Sequence, residues 1–110
     1  TKYKTKVHVL YEIANEPSNV TWANVLLYHN SVIQQIRLID PLNIIIAGTT
    51  TWSQEINLPL TEPVNSPTNV LYSFHFYAAS HAELYGTASQ YLDLVPVFSV
   101  WSTSESSGSG

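Results

Sequence analysis

The run Asn43-Ile44-Ile45-Ile46-Ala47-Gly48 limits the possible folds more than any other stretch of this chain. It is continuously apolar, rich in β-branching, and shows no polar alternation, so it reads as a strand buried on both faces. Strands of that kind belong to parallel sheets covered by helices. The stretch before it agrees. Trp22, Val25, Leu26, His29, Val32, Ile33 and Ile36 recur in steps of three and four, which marks one face of a helix. Asn19 or Thr21 can cap its start, and Asp40-Pro41 ends it, because the residue before proline avoids the helical region. Val7 to Ala14 is another apolar run, bounded by Pro17, and reads as the first strand. Strand, helix, strand at this spacing is a βαβ unit, with parallel strands and a right-handed crossover.

The same alternation continues. Thr49 to Asn69 holds Pro59, Pro63 and Pro67 without clean periodicity, and is expected to be a long ordered connection. Val70 to Tyr77, dense in aromatic and β-branched residues, is a third strand. Ser80 to Leu92 is expected to be a helix weakened by Gly86 at its middle. Val95 to Trp101 is a fourth strand. The Ser- and Gly-rich end, reckoned as 101–110, is expected to fray. No internal repeat or domain boundary interrupts the alternation, so 1–110 reads as one α/β segment.

Composition narrows the function. A net charge of −4 with only four Lys and Arg argues against nucleic acid, since phosphate neutralisation needs clustered cations. Lys2, Lys4 and Lys6 read as a solvated approach to the first strand. No apolar run is long enough to span a bilayer, no signal peptide is evident, and no membrane partner is expected. Without Cys there is no disulfide, zinc-thiolate site or thiol nucleophile. His8, His29, His75 and His81 lack metal-ligand spacing, so neither a metal nor another cofactor is expected. The Ser residues are not set in a Gly-x-Ser-x-Gly elbow. Asn19-Val20-Thr21 forms a glycosylation sequon, which matters only in a eukaryotic secreted source. Charged residues at 11% and aromatics at 12% suit a sugar-binding cleft and an ordinary core alike.

Glu16 follows the first strand directly, in Asn15-Glu16-Pro17, and the carboxyl end of a parallel strand is where chemistry is usually placed. By itself Asn-Glu-Pro is equally compatible with a surface turn. Glu12 shares the face of Glu16 on an ideal strand, and inside a barrel reads as a partnered structural carboxylate. His75 and Tyr77 share a strand face. Trp52 either stacks on a sugar or packs on neighbouring loops, and Trp22 belongs to the core.

Taken together, Asn15-Glu16-Pro17, Thr51-Trp52-Ser53-Gln54, His75-Phe76-Tyr77 and Pro96-Val97-Phe98 resemble glycoside hydrolase family 5, the cellulase-like (β/α)8 barrels. The likeness runs from about Val7 to Gly108, in the order of the family's strands four to seven. It implies a partial (β/α)8 barrel, since a whole one needs roughly 200 residues or more. It implies Glu16 as acid/base, Asn15 as the neighbour that binds the sugar 2-hydroxyl, His75 on substrate and Tyr77 on the nucleophile. Trp52 and Trp101 would line the substrate cleft. The family places its nucleophilic Glu immediately before the aromatic that Trp101 matches, and here that position is Val100. Against the family pattern it is as if one residue had been deleted, and such a deletion flips the facing of whatever follows unless a bulge absorbs it. Glu105 is not assigned as a replacement.

The resemblance thus implies part of a secreted, retaining endo-β-1,4-glucanase acting on β-glucan, with the nucleophile missing. Alternatives are a non-catalytic glucan-binding relic and an incomplete copy without independent function. An arc of four strands leaves edges and barrel interior exposed, so the rest of a barrel is expected to be needed for stability.

Overall fold

The computed structural model describes residues 2–102. Four strands form one sheet in the order β1 (Tyr11–Glu12), β2 (Ile45–Ala47), β3 (Val70–Tyr77) and β4 (Val97–Ser102). Every neighbouring pair is parallel. Between them lie α1 (Trp22–Ile39), the short turns α2 (Thr50–Ser53) and α3 (Leu58–Thr61), and α4 (Ala82–Ala88). This is an α/β arrangement consistent with part of a (β/α)8 barrel.

Helix α1 forms as its periodicity predicts. The Thr21 hydroxyl accepts the Asn24 N–H at 3.3 Å, and Trp22, Val25, His29 and Ile33 form its buried face. Asp40 ends the helix in an extended conformation. Its carboxylate accepts the N–H groups of Leu42 and Asn43 at 3.2 and 3.0 Å and the Tyr11 hydroxyl at 2.8 Å. The apolar face of α1 packs with Ile45, Ala47, Val70, Tyr72, Val64 and Val95 in the main core. Ile45, Ile46 and Ala47 are all buried, as expected of a strand covered on both faces.

Several boundaries differ from the sequence expectation. β1 is confined to Tyr11–Glu12, within the expected Val7 to Ala14. The segment before it folds back in turns closed by Lys6 N–H to Tyr3 O and Val9 N–H to Lys6 O. The buried Asn43 amide holds the Tyr3 and Lys6 carbonyls, drawing that segment off the sheet. The connection from Thr49 to Asn69 contains two single helical turns, neither expected. α4 covers the middle of the expected Ser80 to Leu92, and the Ser89 hydroxyl takes the Gly86 carbonyl at its end. β4 begins at Val97 because Pro96 has no N–H for the ladder, although its carbonyl accepts from Tyr72 at 2.8 Å. Of the tail expected to fray over 101–110, Trp101 and Ser102 instead pair with Phe76 and Tyr77 in β4, and the rest, with Glu105, lies outside the described residues.

Candidate active site

Strand parity divides β3 into two faces. Val70, Tyr72 and Phe74 are buried against the helices, whereas Ser73, His75 and Tyr77 point to the other side of the sheet. Glu16 reaches that side from the loop after β1. Its Oε1 lies 2.8 Å from His75 Nδ1, with the histidine side chain 13% exposed and the carboxylate 37%. His75 Nε2 is buried and has no hydrogen-bond partner among the described residues. With Glu16 ionised and His75 neutral, Nδ1–H donates and Nε2 remains as an acceptor.

The segment carrying Asn15 and Glu16 is held by its own carbonyls. Tyr28 Oη donates to Ile13 O at 2.8 Å, Ser53 Oγ to Asn15 O at 2.6 Å, and the Trp52 N–H to Pro17 O at 3.1 Å. The side of the loop nearest β2 is Gly48, where a Cβ would stand 2.4 Å from Ala14 O and 2.9 Å from Pro17 Cδ. Only glycine lets the two backbones approach so closely. The Gly48 carbonyl in turn accepts from His29 Nε2 at 2.7 Å. Burial lowers the His29 pKa, against the opposing effect of that carbonyl, so its imidazole favours the neutral form.

Ser53 and Trp52 are available for this clasp because α2 is wound the wrong way. Thr51, Trp52 and Ser53 all have positive φ, at 52°, 54° and 60°. For L side chains the left-handed region costs about 1–2 kcal/mol per residue. Glu55 offsets part of that cost. Its Oε2 accepts the hydroxyls of Thr50 and Thr51 at 2.5 and 2.9 Å. Tyr28, His29, Ser53 and Glu55 were not assigned to the site from sequence. The Thr49-Thr50-Thr51 run with Glu55 four and five residues on was the available signal.

The other expected site residues fall as follows. Tyr77 lies two residues beyond His75 on the same strand face. Its N–H donates to His81 Nδ1 at 3.2 Å. Asn15 is exposed beside Glu16, and Glu12 is exposed opposite Ile46 on the ladder. Trp52 is 51% exposed at the clasp. Trp101 is not brought to His75. The register pairs Phe76 with Trp101 and His75 with Val100, and the Phe76 and Trp101 rings stack with centroids 6.5 Å apart. Trp101 thus lies on the same side of the sheet as Phe76, facing the helices. Val100, 45% exposed, takes the position opposite His75. Among the described residues no three His, Asp or Glu converge as metal ligands. No helix among them is long and apolar enough to cross a membrane.

The family Cellulase (glycosyl hydrolase family 5) matches residues 1–104. The chain belongs to glycoside hydrolase family 5. Among its relatives, Endoglucanase Z of Dickeya dadantii is 42% identical over 113 residues, covering 99% of this chain and 26% of the relative. Endoglucanase E-5 of Thermobifida fusca is 44% identical over 108 residues, covering 88% of this chain and 22% of the relative. The chain therefore spans about a quarter of the curated relatives it matches. The crystal structure of the Thermobifida fusca endoglucanase Cel5A catalytic domain superposes with a TM-score of 0.89 at 41% identity. It covers 99% of this chain and 38% of the catalytic domain. A variant of that domain in complex with cellotetraose gives a TM-score of 0.90 at 39% identity, covering 99% and 38%.

Proposed function

We propose that this chain is the part of a retaining endo-β-1,4-glucanase that holds the acid/base side of the cleft, with β-1,4-glucan as its substrate. The observation that carries this reading is the contact of Glu16 Oε1 with His75 Nδ1 at the carboxyl end of the sheet. Glu16 is the proton donor to the leaving oxygen, Asn15 a contact of the sugar 2-hydroxyl, and His75 Nε2 an acceptor for substrate. Tyr77 faces the site of the nucleophile, and Trp52 offers an exposed ring for stacking. The cellotetraose complex of the Thermobifida fusca relative supports a cello-oligosaccharide ligand. Secretion is proposed on the same kinship, and so is dependence on the rest of a barrel, in which 1–110 would be one partial catalytic-domain segment.

A retaining glycosidase needs a second carboxylate about 5–5.5 Å from the first. Val100 stands opposite His75 in the register, and valine cannot form a glycosyl-enzyme bond. That observation favours a second reading for the chain as written, a glucan-binding relic without turnover. Turnover of an activated aryl β-cellobioside by this chain, and by one with Glu inserted between Val100 and Trp101, separates the two. Near-UV circular dichroism monitors folding. Activity only after insertion is expected from the catalytic roles. Two folded, inactive chains would favour binding alone, and two unfolded chains would favour a segment dependent on the rest of a barrel. Activity without insertion would refute the missing nucleophile.

A further inference from the structure

We propose that Ser53 and Glu55 are positioning residues for Glu16, acting through the left-handed turn that grips the Asn15–Pro17 backbone. The inference rests on the reading of Glu16 as acid/base and concerns how that carboxylate is aimed. Three observations converge. Ser53 and Trp52 hold alternate carbonyls on either side of Glu16, those of Asn15 and Pro17. Both residues do so from positive φ, 54° at Trp52 and 60° at Ser53. Glu55 is the acceptor that fastens this turn, through the hydroxyls of Thr50 and Thr51.

The chain of contacts runs from Glu55 to Thr50 and Thr51, through the backbone to Trp52 and Ser53, and on to Asn15 and Pro17. Among the described residues the hydrogen bonds of the Ser53 and Glu55 side chains go to Asn15, Thr49, Thr50 and Thr51, not to the Glu16 carboxylate. If the turn relaxes to ordinary right-handed backbone, both grips are lost, and the Glu16 side chain is no longer fixed against His75. The clasp therefore sets the fraction of molecules in which the acid is aimed.

The imidazole tautomers give a readout that does not depend on turnover. His29 carries its proton on Nε2, because that atom faces the Gly48 carbonyl. His81 does likewise, because its Nδ1 accepts the Tyr77 N–H. His75 alone of these three is set to carry it on Nδ1, facing Glu16. Long-range 1H–15N correlation spectra of the 15N-histidine-labelled chain at about pH 9, where ordinary imidazoles are neutral and carboxylates ionised, distinguish the two forms. A His75→Gln variant assigns the signal.

The unsubstituted chain is expected to show His75 as the Nδ1–H form. Ser53→Ala and Glu55→Leu are expected to shift most of it to Nε2–H, the form a neutral imidazole prefers without a partner. Glu55→Gln, which keeps an oxygen for the two hydroxyls, should restore most of the Nδ1–H signal. Tyr11→Phe, which loses a hydrogen bond to Asp40 away from the site, should leave it unchanged. Retention of the Nδ1–H form in both Ser53→Ala and Glu55→Leu would overturn the clasp. An equal shift in Tyr11→Phe would overturn it too, since general loosening would then be the cause. Nε2–H in the unsubstituted chain would overturn the Glu16–His75 pair itself, and the clasp with it.

Discussion

Glu16 and His75 are 59 residues apart in the chain and 2.8 Å apart in the fold, Oε1 to Nδ1. The contact spans β2, since Glu16 follows β1 and His75 lies on β3, so the sheet's register decides whether it forms. In a chain carrying the inserted Glu, Glu16→Gln should lower turnover of an unactivated cello-oligosaccharide by at least about 10²-fold, the usual contribution of a general acid. The loss in the bond-breaking step should be smaller for an aryl glycoside, whose leaving group needs little protonation. Comparing kcat/KM for the two substrates checks this, and equal losses would argue against proton donation by Glu16.

Gly48→Ala should loosen the site from beneath. The new Cβ meets the backbone oxygen of Ala14 and the ring of Pro17, neither of them a flexible side-chain end. A cost of about 1–3 kcal/mol, typical of overpacking, is expected in urea denaturation. The His75 signal should move as well. Unchanged stability would mean that the loop after β1 can shift freely.

Acid should weaken the packing of α1 through His29. Burial depresses its pKa, so below about 6.5 the unfolded chain binds the proton more readily than the folded one. The stability from keeping His29 neutral is complete above about pH 6.5. It falls as pH drops below that value and levels off once the folded form also protonates. The slope cannot exceed about 1.4 kcal/mol per pH unit for one site. Denaturation midpoints at several pH values, for the chain and for His29→Leu, test this. The variant starts less stable, having lost the Gly48 contact, and should lack this part of the pH dependence.

Arg37→Lys should destabilise the end of the sheet opposite the site. The guanidinium donates from Nη1 to the carbonyls of Asp40 and Asn43, and from Nη2 to those of Thr68 and Asn69. A lysine ammonium is a point donor and cannot span four carbonyls. A loss of about 1–3 kcal/mol in urea denaturation is expected, given the worth of hydrogen bonds to charged groups. A loss below about 0.5 kcal/mol would mean that solvent replaces the fork, as it does at ordinary surface positions.

The parts of the fold legible in the sequence are those where burial alone sets the pattern. Ile45 to Ala47 is covered on both faces and reads as a strand without help, and Trp22, Val25, His29 and Ile33 trace the buried side of α1. β1 is shorter than the apolar run from Val7 to Ala14 suggests, because no local pattern shows that Asn43 draws off the Tyr3 and Lys6 carbonyls. The site was legible through kinship of motifs rather than through periodicity. The Trp101 placement follows from strand parity, which pairs it with Phe76 and not with His75, and the motif match alone does not supply that. The left-handed turn was not legible, since Thr51 and Trp52 favour extended backbone and the groups that hold them elsewhere include Glu55, Asn15 and Pro17, which no local pattern links to them.

Strand order in the sheet is the same as strand order in the chain. During synthesis, then, each strand finds its partner already made. β2 docks on β1, β3 on β2 and β4 on β3, and none waits for a later segment to be inserted between two earlier ones. Ribosomal emergence at about 5–20 residues per second leaves each pairing seconds to settle before the next strand arrives. Growth from one edge makes each newest strand an exposed edge in its turn, so within this sheet the risk of pairing with a foreign chain at the growing side moves with the ribosome, while β1 keeps the opposite edge.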